Sequence, residues 1–234
     1  GGNTWTSLGL IGTKIMDIEL HKYGTVATLY IATNAATAPS KGLYKLTDSN
    51  GTISISELGN LPDYPRTIAV VNQSDPNNDT IYAAVGTYKV YKSTDGGNSF
   101  ASVSGGLMIN AEYKNISISP ANSNYLYVKL NNSTIANPIY THDGGITWSQ
   151  PVSLDEGGLS FREGGSFVGL PVAPHPTNPN VALLITSGTI HRTTNGGSTW
   201  VYSGEGYLGG RRAGTTSAYF DPNNSNRMIF FLVD

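Results

Sequence analysis

A short motif recurs along this chain at a nearly constant interval, and this repetition constrains the fold more than any other feature. The motif, which we call the box, combines a hydroxyl residue, an Asp or Asn two positions later, two glycines and a closing aromatic residue. Clear copies occupy residues 93–100, 141–148 and 193–200, a degraded copy occupies 46–53, and the back half of another occupies 1–5. The Asp or Asn lies at positions 48, 95, 143 and 195, so successive copies are 47, 48 and 52 residues apart. A period of this length is typical of solenoids and propellers.

A second repeated feature is a turn cluster rich in Pro and Asn that lies between two apolar runs. The clusters occupy residues 75–78, 120–124, 175–180 and 221–224. In the unit around residues 115–150, the pattern predicts strands at 116–119, 125–130, 138–141 and 147–151, with the turn cluster after the first strand and the box after the third. Four short strands in a repeat of about 45 residues predict one propeller blade.

The residue types of the box suit a tight turn. A hydroxyl and a carboxylate two residues apart can hydrogen-bond to the turn backbone, and the glycines permit positive φ angles there. A catalytic role for the carboxylate is the alternative, but every copy repeats the residue, and one active site does not need several copies. We therefore expect a structural role for the Asp, Asn and Trp residues of the boxes: Asp48, Asp95, Asp143, Asn195, Trp148 and Trp200.

The box resembles the Asp-box, S/T-x-D-x-G-x-T-W, of the repeats first associated with bacterial neuraminidases (BNR repeats). Families with such repeats include sialidases, xyloglucanases, sortilin-type receptors and a photosystem assembly factor. The resemblance extends over the whole chain and implies an Asp-box β-propeller. It does not imply one function, because these families do different things.

We therefore expect residues 1–234 to form one all-β propeller array with four complete four-stranded blades and a fifth blade that is split or incomplete. Helix should be nearly absent. The proline of the turn cluster precedes the Asp or Asn of the box by 19 residues for Pro76 and Pro176, whereas only 12 residues follow Pro222. Both a closed five-bladed ring and a fragment of a larger propeller are consistent with the repeats, and this interval favours the fragment.

Composition excludes several classes of partner. The net charge is −2 and only 13% of residues are charged, so no basic surface for nucleic acid is expected. The sequence contains no run of 18 apolar residues, so no membrane-spanning segment is predicted. The chain has no cysteine, and its four histidines are too scattered for a metal site, so we expect neither a metal nor a cofactor. Low charge with abundant Asn, Thr and Tyr favours an extracellular or cell-surface protein.

The loops that vary between repeats are the predicted binding region. In a propeller, the turn clusters and boxes lie on one face of the disc, and the longer variable loops lie on the other. These loops carry a large share of the charged residues, accompanied by aromatics that suit sugar rings. Asp63, Tyr64 and Arg66 lie in one such loop, and the candidate ligand-binding residues lie in two others: Asp155, Arg162, Glu163, Glu205, Tyr207 and Arg212.

Two functions from different classes remain open. The first is a glycan-directed binding or scaffold propeller whose partner is a glycan, a cell-surface molecule, the remainder of a larger propeller or another chain. The second is a glycoside hydrolase, either xyloglucanase-like or sialidase-like, which requires two carboxylates flanking the scissile bond or a cluster of arginines, a Tyr and a Glu. No pair of carboxylates can be assigned from the sequence, and the binding function is favoured because no catalytic motif is present.

Overall fold

The structure is a computed structural model, and the residues that it describes are all-β, with none in a helix. The description covers residues 5, 7, 9–10, 13–34, 42–71, 75–86, 89–105, 107, 112–131, 138–154, 172–186, 189–205, 214–221 and 224–233. Within this part of the chain the strands are β1 (Ile15–Tyr23), β2 (Val26–Thr33), β3 (Leu43–Ser49), β4 (Thr52–Glu57), β5 (Pro65–Val71), β6 (Thr80–Val85), β7 (Lys89–Ser93), β8 (Ala101–Ser102), β9 (Glu112–Ile118), β10 (Leu126–Asn131), β11 (Ile139–Thr141), β12 (Ser153–Leu154), β13 (Val172–Pro174), β14 (Ala182–Thr186), β15 (Thr189–Thr193), β16 (Thr199–Glu205), β17 (Gly214–Asp221) and β18 (Asn224–Val233).

The strands form sheets in which chain neighbours pair antiparallel. Blade 1 is β1–β4, blade 2 is β5–β8, blade 3 is β9–β11, blade 4 is β13–β16, and β17–β18 form a final hairpin. The three clear boxes follow the third strands β7, β11 and β15 of their blades. The predicted all-β architecture and its antiparallel sheets are confirmed, and the three clear boxes follow third strands as predicted.

Blade 3 differs from the expected four strands. After its box, only one bridge joins Ser149 to Tyr140, with backbone bonds of 2.8 and 3.0 Å. The chain then leaves blade 3, because Pro151 has no N–H to continue the ladder. Val152 N donates instead to Ser198 O at 2.9 Å, and β12 pairs in parallel with β16 of blade 4. This segment therefore connects two adjacent blades.

Apolar side chains fill the junctions between successive sheets. The first strands of the sheets are neighbours in the order β1, β5, β9, β13 and β17, as in a propeller. Alternate residues of each strand face the preceding and the following blade, which places a hydrophobic cluster at every junction. Representative residues are Leu43 and Ile68 between blades 1 and 2, Tyr82 and Leu126 between blades 2 and 3, Tyr127 and Trp200 between blades 3 and 4, and Leu183 and Phe220 between blade 4 and the final hairpin.

The Asp or Asn of each clear box binds both ends of its turn. In the box of blade 3, Thr141 Oγ1 donates to Asp143 Oδ1 at 2.6 Å. Thr147 N donates to Asp143 Oδ1 at 2.9 Å, and Thr147 Oγ1 donates to Oδ2 at 2.5 Å. Asp95 makes the corresponding bonds in blade 2. Asn195 does so in blade 4, where its Nδ2 donates to Thr199 Oγ1 at 2.9 Å.

The second glycine of each box lies against the preceding blade. At Gly97, Gly145 and Gly197, φ is 94°, 92° and 101°, a region that residues with a Cβ rarely adopt. A Cβ on Gly97 would lie 2.7 Å from Leu58 Cδ1, and one on Gly145 would lie 3.0 Å from Val103 Cγ2. Glycine is therefore required here both by the backbone conformation and by the close approach of a neighbouring blade.

The degraded copy in blade 1 forms a different turn. Ser49 pairs directly with Thr52, and Asn50 and Gly51 between them have φ values of 52° and 87°. Positive φ at both central positions defines the tight Asn-Gly hairpin turn. Asp48 Oδ1 accepts a hydrogen bond from Gly51 N at 2.7 Å, so this carboxylate binds one turn amide.

The hydrogen bonds of the box predict a measurable contribution to stability. Asp143→Ala should lower the free energy of unfolding by about 1–3 kcal/mol, because the Thr147 amide and two hydroxyls lose their acceptor. Asp143→Asn is the matched control and should cost much less, since Asn195 fills the same position in blade 4. Chemical denaturation monitored by circular dichroism measures both variants. An Asn variant as unstable as the Ala variant would contradict this role.

The same bonds predict a dependence on acid. Hydrogen bonds from Thr141 and Thr147 lower the pKa of Asp143 from 3.8 to about 2. The stabilisation is therefore present above about pH 4 and is lost as the pH falls towards 2. The stability difference between Asp143→Ala and the wild type should shrink over this range, and a constant difference would be inconsistent with it.

Candidate functional site

The two faces of the blades differ in how their polar groups are used. We define the box face as the face that carries the turn clusters and the boxes. There the first glycine of each clear box donates its N–H to a carbonyl at the end of the turn cluster in the same blade or directly after it. Gly96 N bonds to Asp79 O at 3.1 Å, and the equivalent bonds to Asn124 O and Asn180 O are 3.0 and 2.9 Å. The backbone of this face is thus held by repeated internal bonds.

The opposite face, which we call the loop face, carries the connections from the second to the third strand and from blade to blade. Of the predicted ligand-binding residues, Asp155, Arg162, Glu163, Tyr207 and Arg212 lie outside the described residues. Glu205 is the last residue of β16, where its backbone pairs with Thr189. The described geometry does not bring these six residues together, and their role as a site remains a prediction.

One loop-face cluster lies within the described residues, at the start of β5. The Arg66 guanidinium lies 5.6 Å from the centroid of the half-buried Tyr64 ring, and Arg66 Nε donates to Gly86 O at 3.3 Å. The exposed Asp63 carboxylate also approaches Gly86, since a Cβ there would lie 3.3 Å from Asp63 Oδ2. We call Asp63, Tyr64, Arg66 and Gly86 the Arg66 cluster. It combines an aromatic ring, a cation and an anion on one short stretch of surface.

A polar row on β1 faces blade 2, and the sequence predictions missed it. Asp17, Glu19, His21 and Tyr23 alternate with residues that face away from blade 2. Asp17 Oδ2 accepts hydrogen bonds from Thr67 Oγ1 at 2.8 Å and from Ile68 N at 2.9 Å. The signal was present as a period of two in residues 17–23, but it does not reveal which face meets the next blade.

Burial changes the protonation of this row. The pKa of Glu19 is raised from 4.5 to about 7, first by desolvation and second by the nearby negative charge of Asp17. Desolvation lowers the pKa of His21, partly offset by the attraction of Asp79. Both shifts favour the neutral form of the side chain, as burial requires. The row therefore contains a carboxyl group that titrates near neutral pH.

Asp79 joins the outer end of this row to blade 2. Its side chain is fully buried and accepts hydrogen bonds from the hydroxyls of Tyr23 and Tyr30, the latter at 2.6 Å. Burial and these bonds raise the pKa of both tyrosines. Lys45 Nζ donates to Pro76 O at 2.9 Å, and Tyr30 OH reaches the same carbonyl at 3.3 Å. Three side chains of blade 1 are thus bonded to Pro76 or Asp79 of blade 2.

A tyrosine bonded to the next blade recurs along the array. Tyr82 OH donates to Gly144 O at 3.3 Å, and Tyr127 OH donates to Pro179 O at 3.5 Å. Each of these tyrosines occupies the position of Tyr30 in the second strand of its blade. The Asp79 junction is therefore an elaborated form of a general contact between blades.

Asp17 and Glu19 are two described carboxylates whose spacing resembles that of a glycosidase pair. They lie two residues apart on one strand, about 7 Å along the chain, and such enzymes separate their carboxyl groups by roughly 5–10 Å. However, both oxygens of Asp17 accept hydrogen bonds, Oδ1 from Ile18 N at 2.9 Å and Oδ2 from blade 2. This arrangement suits a structural junction better than attack on a substrate.

Among the described residues, no three His, Asp or Glu side chains come together in a way that could hold a metal ion. None of the helices that a membrane crossing would require occurs among them either.

The Glu19 carboxyl predicts a stability that falls with rising pH. Because the folded-state pKa lies above the unfolded value, the contribution is complete below about pH 4.5 and is lost as the pH rises through 7. As the pH rises from 5 to 8, the free energy of unfolding of Glu19→Gln should therefore increase by about 1–3 kcal/mol relative to that of the wild type. Because both proteins contain His21, the opposing pH dependence of His21 cancels when their free energies of unfolding are subtracted. Glu57→Gln, at an exposed position on β4, is the control, and an identical pH profile for the two variants would refute the assignment.

Comparisons with known proteins support the fold. No protein-family model matches the chain, and no curated protein matches it significantly. Among solved structures, it resembles an ancestral GH74 enzyme with a TM-score of 0.61 at 20% identity, over 91% of this chain and 26% of that one. The GH74 xyloglucanase from Xanthomonas campestris gives a TM-score of 0.53 at 13% identity, over 87% and 33%.

A third similar structure is a chain of a humanized Chaetomium thermophilum Polycomb Repressive Complex 2, with a TM-score of 0.52 at 10% identity, over 89% of this chain and 46% of that one. This protein thus spans between a quarter and a half of the solved chains that it resembles. At such low identities the likeness concerns the fold alone, and the fold that these structures share with the chain is the β-propeller.

Proposed function

We propose that this protein is a glycan-directed binding or scaffold β-propeller of the Asp-box type that acts outside the cell or at its surface. The observation that carries the proposal is the contrast between the two faces. On the box face, the Asp, Asn and Thr side chains of the boxes bind the turns to which they belong. The loop face is where the repeats differ from one another, and function tends to lie on such loops.

The Arg66 cluster supplies the chemistry that a sugar requires. An aromatic ring can stack on the apolar face of a pyranose, and a guanidinium and a carboxylate can bond to its hydroxyls. Tyr64, Arg66 and Asp63 provide these groups within four residues of the chain. We infer that this cluster is one part of a loop-face site to which Asp155, Arg162, Glu163, Glu205, Tyr207 and Arg212 also contribute.

The alternative is a glycoside hydrolase that uses carboxylates of the loop face. Two of the similar solved structures are GH74 enzymes, and one of these is a xyloglucanase. The binding function is favoured because the described carboxylate pair, Asp17 and Glu19, lies at a blade junction where Asp17 is bonded to blade 2. Release of reducing sugar from xyloglucan, or of sialic acid from sialyl-lactose, would instead establish the hydrolase.

Binding should be sensitive to the loop face and insensitive to the box face. Calorimetric titration with xyloglucan oligosaccharides and sialyl-lactose serves as the measurement. Tyr64→Ala should weaken binding about two- to tenfold, since an aromatic contact contributes about 0.5–1.5 kcal/mol beyond its buried area. The joint Arg162→Ala and Tyr207→Ala variant should abolish binding with little change in stability, because both residues are predicted from the sequence to lie in loops, where substitutions usually cost within about 0.5 kcal/mol.

Ile146→Ala is the matched control on the box face. Ile146 lies within the box of blade 3 with 74% of its surface exposed, so it is as accessible as a loop residue. The Ile146→Ala variant should bind the oligosaccharides as tightly as the wild type does. Loss of binding in this variant, or normal binding in the joint loop variant, would show that the site is not on the loop face.

A further inference from the structure

A β-bulge interrupts the first strand of several sheets. At each bulge, two steps along the first strand lie opposite one step along the second strand, so the first strand contains one extra residue. The extra residues are Met16 in blade 1, Arg66 in blade 2, Lys114 in blade 3 and Thr216 in the final hairpin. The corresponding stretch of blade 4 precedes β13 and lies outside the described residues.

The bulge occupies the same place in blades 1, 2 and 3. It lies opposite the second and third residues after the second-strand tyrosine that bonds to the next blade: Ala32–Thr33, Ala84–Val85 and Lys129–Leu130. A polar residue and an isoleucine follow the bulged residue in each blade: Asp17–Ile18, Thr67–Ile68 and Asn115–Ile116. The bulge is therefore a repeated part of the blade, whereas the bulged residue itself is a Met, an Arg or a Lys.

The bulges lie near the centre of the loop face. The first strand of each blade begins at the loop face, and in a propeller it borders the central channel. Bulges turn a side chain out of the regular alternation of a strand and are frequent beside functional sites. The Arg66 guanidinium lies against the Tyr64 ring, and its Nε bonds to Gly86 O, at the loop end of its own blade. A repeated backbone feature thus positions a variable residue where specificity for a ligand can be set.

Two adjacent bulges carry cationic residues. Arg66 and Lys114 occupy equivalent positions of β5 and β9, and these two strands are neighbours. The bulged residues Met16 and Thr216 of the other described sheets are uncharged. A ligand that reaches the start of both strands therefore meets two positively charged residues from two different blades. Such a pair favours a ligand with a negatively charged group.

Acidic residues precede both cations and restrict the class of ligand further. The Asp63 carboxylate approaches Gly86, and Glu112 begins β9. A sugar that carries a carboxylate matches both signs of charge, because its carboxylate suits the cations and its hydroxyls can donate to the acidic residues. A neutral sugar makes only the second kind of contact, and an inorganic anion makes only the first.

We propose that the bulged residues Arg66 and Lys114 form a subsite for the carboxylate of an acidic sugar, at the loop-face end of β5 and β9. This inference rests on the proposed glycan-binding function and narrows it to one class of glycan. The planar guanidinium of an arginine binds a carboxylate through paired N–H groups, and the ammonium of a lysine adds a second positive charge. The two bulges supply these groups from neighbouring blades, so the subsite requires the packed array rather than one blade.

The proposal is tested on the full chain by calorimetric titration with acidic sugars and their uncharged counterparts. Trigalacturonate is compared with its methyl ester, and sialyl-lactose with lactose, so the two pairs distinguish a uronic acid from a sialic acid. The acidic member of at least one pair should bind about tenfold or more tightly than its counterpart, as a hydrogen bond to a charged group implies. This preference should weaken as the ionic strength rises, because salt screens the attraction.

Substitutions assign the preference to the bulged residues. Arg66→Gln and Lys114→Gln should each bring the affinities for the acidic and uncharged members closer together by about tenfold. Arg66→Lys keeps the charge and should retain part of the preference. Lys22→Gln removes the charge of an exposed lysine at the opposite end of β1 and should retain all of it. Melting temperatures establish that each variant is folded.

Three results would overturn the inference. The first is equal affinity of the wild type for the acidic and uncharged members of both pairs. The second is binding of xyloglucan oligosaccharides without binding of either acidic sugar, which leaves the proposed glycan-binding function intact. The third is an undiminished preference in folded Arg66→Gln and Lys114→Gln. A protein that binds none of these glycans would contradict the proposed function itself, and the acidic-sugar subsite with it.

Discussion

The arrangement of the blades depends on the close approach between the second glycine of each box and the blade before it. Gly97 lies against Leu58, Gly145 against Val103 and Gly197 against Tyr127, at distances that leave no room for a side chain. The Asp or Asn of the box holds the turn in the shape that makes this approach possible. One local turn therefore closes its own sheet and also positions the sheet against its neighbour, so the repeated sequence specifies a repeated junction.

Because each box turn holds both its own sheet and the neighbouring one, the box face is structural, and the loop face is left to vary. On the box face, backbone bonds join the box to the turn cluster, and tyrosines such as Tyr82 and Tyr127 reach the turns of the next blade. A substitution of one of these bonded residues disturbs two blades at once. The loop face carries no repeated bonds of this kind among the described residues, so its loops can differ in length and charge without loss of the fold. A ligand-binding function on the loop face is therefore compatible with a constant scaffold.

The sequence predicted those features that local chemistry determines. The position of the boxes and the antiparallel order of the strands follow from turn residues and a period of two. In blade 1 the Asn50–Gly51 pair forms a two-residue hairpin, and its strong preference for positive φ replaces the box geometry expected at Asp48. The role of Glu19 could not be predicted, because its burial depends on which face of β1 meets blade 2. The loop-face residues carry no repeat from which their positions could be inferred.

If a box stabilises the preceding blade as well as its own, hydrogen–deuterium exchange on Gly145→Ala should detect the loss in both blades. Gly51→Ala is the matched control, since Gly51 also has a positive φ but its Cβ would meet no atom within 4 Å. In Gly145→Ala, exchange should accelerate both in the box of blade 3 and at the Val103 amide of blade 2, which donates to Val90 O at 2.8 Å. In Gly51→Ala, it should accelerate only around the β3–β4 turn. Unchanged protection of Val103 in Gly145→Ala, with faster exchange confined to residues 141–148, would contradict the account.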